Sequence, residues 1–276
     1  MNYLIEYALL RSFLGLFALL PTETASNAGG AIFRTIGPLM GISKVAKRNM
    51  QRAFPHWDDV QINTNLKNMW DHLGRIVAEY PHLEDIAKNR TTLEQDPNTS
   101  LDGAVIFAGG HIGNWEVMPP TLLYQAGIEM HAAYRAPNNP YVDKLVVQYR
   151  SARGRLKSFG KTRGGLAGIL KLLQDGGRIG MLIDQKMNTG IEASFFGHPA
   201  MTSTAFVEMA RKTGCALVPF RCIRLPGCRF IVQTFSALPI DGRTTEEVVA
   251  HMHSILESWI NAHPEQWLWL HRRWKS

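Results

Sequence analysis

Apolar residues recur at helical spacing in the first third of the chain and in short runs beyond it. Helical spacing dominates from about 42 to 87, and the stripe within 65–80 predicts a helix packed on a core: Leu66, Met69, Trp70, Leu73 and Val77. After 96–103 ("DPNTSLDG"), short apolar runs alternate with helical segments.

This alternation predicts a largely parallel sheet. We expect strands at 104–108, 129–134, 178–183, 216–222 and 229–234, and helices near 115–124, 141–152, 165–174, 203–212 and 245–262. Strands and helices in succession favour an α/β fold in which helices cover both faces of a mostly parallel sheet. Ligands of such sheets bind where strands end and helices begin.

The most apolar part of the chain is its N-terminal segment. Glu6 and Arg11 interrupt it, and the charge-free run from Ser12 to Thr22 is shorter than the roughly 20 residues that cross a bilayer. We therefore predict a membrane-associating segment over 1–40 that lies in or dips into the membrane, and a single domain over 41–276. A secretory signal, disfavoured by Glu6, and a buried first helix are the alternatives.

The composition indicates which classes of molecule could bind the protein, but it does not distinguish among them. The 276 residues are 45% hydrophobic and 19% charged, which is typical of a folded protein, and the net charge is +7. That charge predicts attraction to nucleic acid, anionic lipid or an acidic carrier protein. Cys215, Cys222 and Cys228 form no C-x-x-C pair, which argues against disulfide scaffolds and zinc ribbons and favours a reducing compartment.

The stretch 108–117 ("AGGHIGNWEV") follows an apolar run and joins a histidine to a carboxylate. His111 at a glycine turn could act as a general base, and Glu116 could fix its tautomer. Positions five apart on one helix lie about 140° apart, so the pair meets only if His111 precedes the helix, with Gly113 and Asn114 supplying the bend, and Glu116 lies within the first helical turn. On spacing alone, a capped turn that merely contains a histidine remains open.

"GGHIGNWE" resembles the H-x-x-x-x-D/E motif of the glycerolipid acyltransferase superfamily, in the form found in bacterial lipid A biosynthesis acyltransferases of the lauroyl/myristoyl type. Further segments resemble that family in the same order: "KRNMQRAFP", "WDHLGRIVAEY", "YRAPNNPYVD", "DQ" with "FFGHPAMTST", and "HPEQWLWLHRRWK". Lys186 departs from the family, which commonly has an acidic or small residue after Asp-Gln.

The resemblance implies a glycerolipid acyltransferase-like fold and transfer of a fatty acyl chain from acyl carrier protein to a hydroxyl of a lipid A precursor of the Kdo-lipid IVA type. His111 would take the proton, Glu116 would polarise His111, and no acyl-enzyme, metal or cofactor would be needed. The resemblance also implies a location at the cytoplasmic face of the inner membrane, with the anionic membrane as a partner and without nucleic acid.

Other candidate substrate-binding residues lie at predicted strand or helix ends and in the same turn: Asn114, Tyr134, Arg135, Arg150, Asp184 and Gln185. Arg150 matches a family arginine and is expected to bind an anion or steady an oxyanion. Three of them have a plainer interpretation: a helix cap for Asp184, a solvated loop charge for Arg135, and an exposed helix end for Arg150.

Near the C-terminus, Trp267, Trp269 and Trp274 alternate with cationic residues. This pattern is typical of a membrane interface or of stacking on single-stranded nucleic acid, and core packing is the alternative. For the whole chain, the other hypotheses are transfer to another glycolipid or phospholipid, a non-catalytic basic protein that binds membrane or nucleic acid, and a hydrolase in which His111 and Glu116 activate water.

Overall fold

The computed structural model describes residues 3–160 and 162–275. Its helices are α1 (Tyr3–Ala18), α2 (Thr22–Ile36), α3 (Ser43–Ala53), α4 (Asp59–Glu79), α5 (Leu83–Asn89), α6 (Met118–Ala126), α7 (Pro140–Arg150), α8 (Arg163–Gln174), α9 (Ala205–Thr213) and α10 (Thr245–Ala262). Its strands are β1 (Thr91–Glu94), β2 (Val105–Gly109), β3 (Met130–Tyr134), β4 (Ser158–Gly160), β5 (Arg178–Leu182), β6 (Ile191–Phe195), β7 (His198–Thr202), β8 (Ala216–Leu225) and β9 (Arg229–Thr234).

The main sheet has the strand order β1-β9-β8-β2-β5-β3-β4 within the described residues. All of its neighbouring pairs are parallel except β8 and β9, which run antiparallel. The predicted α/β class with a mostly parallel sheet is therefore confirmed. The short strands β1 and β4 and the separate hairpin of β6 and β7 were missed, because their apolar runs are short or interrupted by polar residues.

Alternate residues of β2 divide the core between the two faces of the sheet. Ile106 and Ala108 pack on one face with α8, α9 and α10, whereas Val105 and Phe107 pack on the other with α6. Every residue of β2 is buried, because β5 and β8 flank it and helices cover both faces. The site that follows β2 thus begins at the centre of the fold.

The N-terminal helices pack on α4. Helix α4 begins with a capping box in which Asp58 and Gln61 bond reciprocally, and α2 lies along it. The predicted segment 1–40 contains α1 and α2, joined by a short turn over 19–21, while residues 1 and 2 lie outside the described residues.

Helix α1 is not the buried helix of the alternative hypothesis. Of its residues Tyr3–Ala18, Leu14 and Phe17 are buried, whereas several large apolar side chains are exposed on it and just after it: Tyr3, Leu4, Ile5, Leu9, Leu16 and Leu19. Among the described residues, no helix has the length and hydropathy that crossing a bilayer requires. Membrane association of this segment stays a prediction.

The C-terminal tryptophans are core residues, which corrects the membrane-interface interpretation. Trp267, Trp269 and Trp274 are buried, and Arg273 between them is buried with a hydrogen bond from Nη1 to the Met201 carbonyl. The segment pairs with the turn after β2, since Gly113 N donates to the Gln266 carbonyl at 3.1 Å and Leu268 N donates to the His111 carbonyl at 3.0 Å. The chain past α10 therefore packs against the turn that carries His111.

Candidate active site

Three neighbouring strands end at one edge of the sheet, and each brings a candidate residue there. His111 follows β2, Asp184 follows β5, and Tyr134 is the last residue of β3. The ends of β2 and β5 are joined by a bond from Ile183 N to the Gly109 carbonyl at 2.9 Å. The sequence-based expectation that these strand ends converge is confirmed.

The turn from His111 to Val117 depends on one glycine. Gly113 has a φ of +59°, and a Cβ at this position would lie 1.9 Å from the Cys222 carbonyl oxygen. Asn114 then accepts a bond from Glu116 N at 3.1 Å, and α6 begins only at Met118. His111 thus precedes the helix, as expected, whereas Glu116 also precedes it and does not lie in its first turn, which corrects that expectation.

The partner of His111 is Asp184. His111 Nδ1 lies 2.7 Å from Asp184 Oδ1, and the His111 backbone N donates to Asp184 Oδ2 at 2.7 Å. Trp267 Nε1 donates to the same Oδ2 at 2.7 Å. Burial raises the pKa of Asp184, but the charge of His111 and these hydrogen bonds outweigh burial, so the pKa lies below its ordinary value.

This contact fixes the tautomer of His111. An ionised Asp184 can only accept hydrogen bonds, so Nδ1 of His111 carries the proton and Nε2 presents a lone pair. Gln185 Nε2 lies 3.5 Å from that Nε2, and both residues line the cavity. The imidazole is therefore oriented as a base facing the cavity.

Glu116 does not contact His111, which corrects the expected pairing of the two. Its carboxylate receives Arg150 Nε at 2.6 Å on Oε2, and Arg150 Nη2 bonds to Oε1. Tyr80 OH and Trp115 Nε1 also donate to Oε1, at 2.8 and 2.9 Å. The turn directs the buried carboxylate towards α7, where a bidentate guanidinium neutralises it.

The charges of this cluster are mutually stabilised. Burial raises the pKa of Glu116, but Arg150 and the donated bonds bring it below its ordinary value. Burial would lower the pKa of Arg150, yet the charge of Glu116 raises it above the ordinary value. Burial and the Glu116 charge raise the pKa of Tyr80, so its hydroxyl stays a donor.

A cavity of about 190 Å³ opens beside His111. The exposed Arg135 marks its mouth, and its lining combines the polar side chains of His111, Glu116, Arg150 and Gln185 with a larger set of apolar or small residues: Met118, Met130, Ala132, Leu156, Gly180, Leu182 and Phe220. Register explains the room above the sheet, since the small residues Gly180, Ala132 and Ser158 pair in one row across β5, β3 and β4. A cavity lined by both kinds of residue suits a chain with a polar head and an apolar tail.

The other predicted residues differ in their placement. Tyr134 lines the cavity and donates to Asp143 at 3.0 Å, and Arg135 lies exposed at the mouth. Asn114 is 0% exposed and lies outside the cavity lining, because its Nδ2 donates to Glu79 and its Oδ1 caps the turn. Its contacts are those of a residue that shapes the turn and differ from the substrate contact expected of it.

Sequence reasoning placed none of Tyr80, Trp115 and Trp267 at the candidate site. Tyr80 and Trp115 hold Glu116, and the ring of Trp115 also packs edge-on against His111 with centroids 5.0 Å apart. Trp267 holds Asp184. Each lies in a segment that carried the family resemblance, but nothing in the sequence indicates where its polar atom points.

Residues 2–276 match a family model described as bacterial lipid A biosynthesis acyltransferase. The chain is 31% identical over 154 residues to the lipid A biosynthesis lauroyltransferase of Escherichia coli (strain K12), covering 52% of this chain and 47% of that protein. It is 28% identical over 156 residues to the lipid A biosynthesis palmitoleoyltransferase of the same organism, covering 53% and 48%. These alignments span about half the length of the two relatives.

A third relative covers more of the chain. The chain is 27% identical over 217 residues to phosphatidylinositol mannoside acyltransferase of Mycobacterium tuberculosis (strain CDC 1551 / Oshkosh), covering 76% of this chain and 63% of that protein. Among solved structures, the 1-acyl-sn-glycerophosphate (LPA) acyltransferase PlsC from Thermotoga maritima aligns with a TM-score of 0.42 and 12% identity, covering 87% of this chain and 97% of that chain.

Proposed function

Since the chain belongs to the bacterial lipid A biosynthesis acyltransferase family, we propose that it transfers a fatty acyl chain from the thioester of acyl carrier protein to a hydroxyl of a lipid A precursor of the Kdo-lipid IVA type. The observation that carries this proposal is the orientation of His111. Asp184 accepts a hydrogen bond from its Nδ1–H, which leaves Nε2 as a base facing a cavity whose lining is largely apolar.

In the proposed reaction the acceptor hydroxyl gives its proton to His111 Nε2, and its oxygen attacks the thioester carbonyl. Collapse of the tetrahedral intermediate breaks the carbon–sulfur bond, and the imidazolium returns the proton to the leaving thiolate. Asp184 stabilises the imidazolium between these steps. The histidine ends in its starting state, and no acyl-enzyme forms.

Arg150 supports the proposal through its remaining donor. Its Nε and Nη2 bind Glu116 and Tyr80, while within the described residues its Nη1 has no hydrogen-bond partner. Because Arg150 lines the cavity, that group can steady the oxyanion of the intermediate. Arg135, exposed at the mouth without a described ion pair, can receive an anionic group of the donor or the acceptor.

The N-terminal helices provide the proposed contact with anionic lipid. Besides the exposed apolar residues of α1, further apolar side chains are exposed in α2 and just after it: Ile32, Ile36, Leu39 and Met40. Exposed cations lie nearby in sequence: Arg11, Arg34, Lys44 and Arg48. Apolar area together with cations favours the surface of an anionic bilayer. These residues support a contact with an anionic bilayer, and the family resemblance implies that this bilayer is the inner membrane at its cytoplasmic face.

Another glycolipid is the second candidate acceptor. The match to phosphatidylinositol mannoside acyltransferase, which covers 76% of this chain, favours it. The acyl-transfer chemistry would be unchanged, because His111 acts on a hydroxyl in either acceptor.

In the deciding assay, the wild-type protein receives acyl carrier protein that carries a labelled acyl chain, together with either acceptor on anionic vesicles. We expect label on the lipid A precursor and a loss of about a hundred- to ten-thousand-fold in His111→Ala. Label released as free acid would support a hydrolase instead. A His111→Ala variant that stays folded and transfers at the wild-type rate would refute the mechanism.

A further inference from the structure

Helix α7 is held at its two ends rather than by the core. Of its residues Pro140–Arg150, Leu145 alone is buried. Its N-terminal end contacts α1, and its last residue is Arg150, which binds Glu116 in the lining of the cavity. The helix therefore bridges an exposed N-terminal helix and the candidate active site.

A buried asparagine supplies hydrogen bonds to α1, beside a ring contact between Tyr7 and Tyr141 with centroids 5.9 Å apart. Asn139, which is 4% exposed, accepts bonds from Tyr141 N and Val142 N through Oδ1, at 3.1 and 3.4 Å, and so caps α7. Its Nδ2 donates to the Tyr3 carbonyl at 2.8 Å and to Glu6 Oε2 at 2.9 Å. Both atoms of the amide are used.

Capping alone does not require asparagine. Serine and aspartate cap helices about as well as asparagine does, through an oxygen. What asparagine adds here is the amide NH₂, and both of its described bonds go to α1. The residue type is therefore explained by the link between two helices.

That link can set the position of Arg150. A helix of 11 residues is about 16 Å long, so a change of about 5° in its direction at Asn139 moves its far end by more than about 1 Å. A misplacement of that size at a catalytic site can cost about a hundredfold in rate. The bond from Tyr134 OH to Asp143 steadies only the first turns of the helix.

We propose that Asn139 is a positioning residue, which joins α1 to α7 and thereby sets the angle at which α7 presents Arg150 to Glu116 and the cavity. The inference rests on the proposed function, because Arg150 matters to the rate only if the cavity hosts acyl transfer. It extends that function by making the placement of α1 a determinant of turnover.

The first experiment separates the link from the cap in the full-length protein. Asn139→Ser keeps a capping oxygen and removes the NH₂ donor, and Asn138→Ser, at an exposed neighbour, is the matched control. We expect Asn139→Ser to lower kcat about tenfold with little change in KM and to speed hydrogen exchange over 141–150, with β2 and β5 unchanged. Unchanged exchange and kcat would overturn the inference.

A reciprocal swap tests the same contact by rescue. Asn139→Asp retains the cap but places a carboxylate against Glu6, and we expect a larger loss of kcat than in Asn139→Ser. Adding Glu6→Gln restores a donor–acceptor pair with its direction reversed, and we expect kcat to recover at least threefold. Absence of rescue would overturn the role of the Glu6 contact.

A double-mutant cycle shows whether the effect passes through Arg150. If Asn139 acts by placing Arg150, Asn139→Ser should cost little further in an Arg150→Ala background, whereas additive losses would overturn the inference. Hydrogen exchange needs no activity, so a wild type that transfers no acyl chain would refute the proposed function while exchange over 141–150 still decides the coupling.

Discussion

Replacing Asp184 with asparagine changes the candidate base without changing the size of the side chain. In the wild type, the His111 backbone N and Trp267 Nε1 both donate to Oδ2, and His111 Nδ1 faces Oδ1. The amide oxygen of asparagine would take the Oδ2 position, where two donors point. Its NH₂ would then face Nδ1 and favour the tautomer that carries the proton on Nε2.

Two losses follow from that geometry. A hydrogen bond to a charged group contributes about 1.5–3 kcal/mol, so removing the carboxylate destabilises the imidazolium and slows transfer by about ten- to 160-fold. The wrong tautomer removes the base itself, and together we expect about a hundred- to ten-thousand-fold. The fold should persist, because the amide oxygen still receives the Trp267 indole.

The rate of single-turnover transfer of a labelled acyl chain from acyl carrier protein measures this loss of activity. Thermal unfolding and near-ultraviolet circular dichroism check that the variant is folded. Asp175→Asn is the matched control, since that carboxylate is exposed and pairs with Lys171 at 3.1 Å. A folded Asp184→Asn variant that keeps more than about half of the wild-type rate would refute the proposal that Asp184 orients His111.

Three further predictions test the cluster, the cavity and the pH dependence. Arg150→Lys keeps the charge but loses the bidentate contact with Glu116, so urea titration should show a loss of about 2 kcal/mol, and an unchanged midpoint would contradict that contact. Gly180→Val narrows the cavity, because a Cβ there would lie 3.1 Å from Met130 Cε, so competing donors of graded chain length should shift towards shorter chains. Burial and the charge of Arg224 lower the pKa of His72 from 6.5 to about 3, so the unfolded chain binds more protons between these values. His72 should therefore lower the free energy of unfolding as the pH drops below 6.5, by about 2 kcal/mol at pH 5, and His72→Asn should remove that contribution while other buried histidines such as His253 keep theirs.

The fold was largely predictable because periodicity follows burial. The predicted helix over 245–262 and strand over 229–234 agree with α10 and β9, whose apolar patterns are regular. Helix α10 also begins with a capping box formed by residues that are close in sequence. Strands β1 and β4 pair at the sheet edges and have no such pattern.

The residues of the site were predictable, but their pairing was not. Strand ends placed His111, Tyr134 and Asp184 at one edge, because parallel strands end on the same side. Spacing could not show that Glu116 turns towards Arg150 and leaves His111 to Asp184. The pairing of His111 with Asp184 and of Glu116 with Arg150 depends on how the turn after β2 packs against β5 and α7, which sequence spacing does not show.

The segment 266–268, which forms hydrogen bonds with the turn after β2, has a consequence for biosynthesis. Trp267 Nε1 donates to Asp184 and Leu268 N donates to the His111 carbonyl, so these two hydrogen bonds can form only after residues 267 and 268 have been translated. A nascent chain that ends before them therefore holds His111 and Asp184 with fewer hydrogen bonds than the finished protein does.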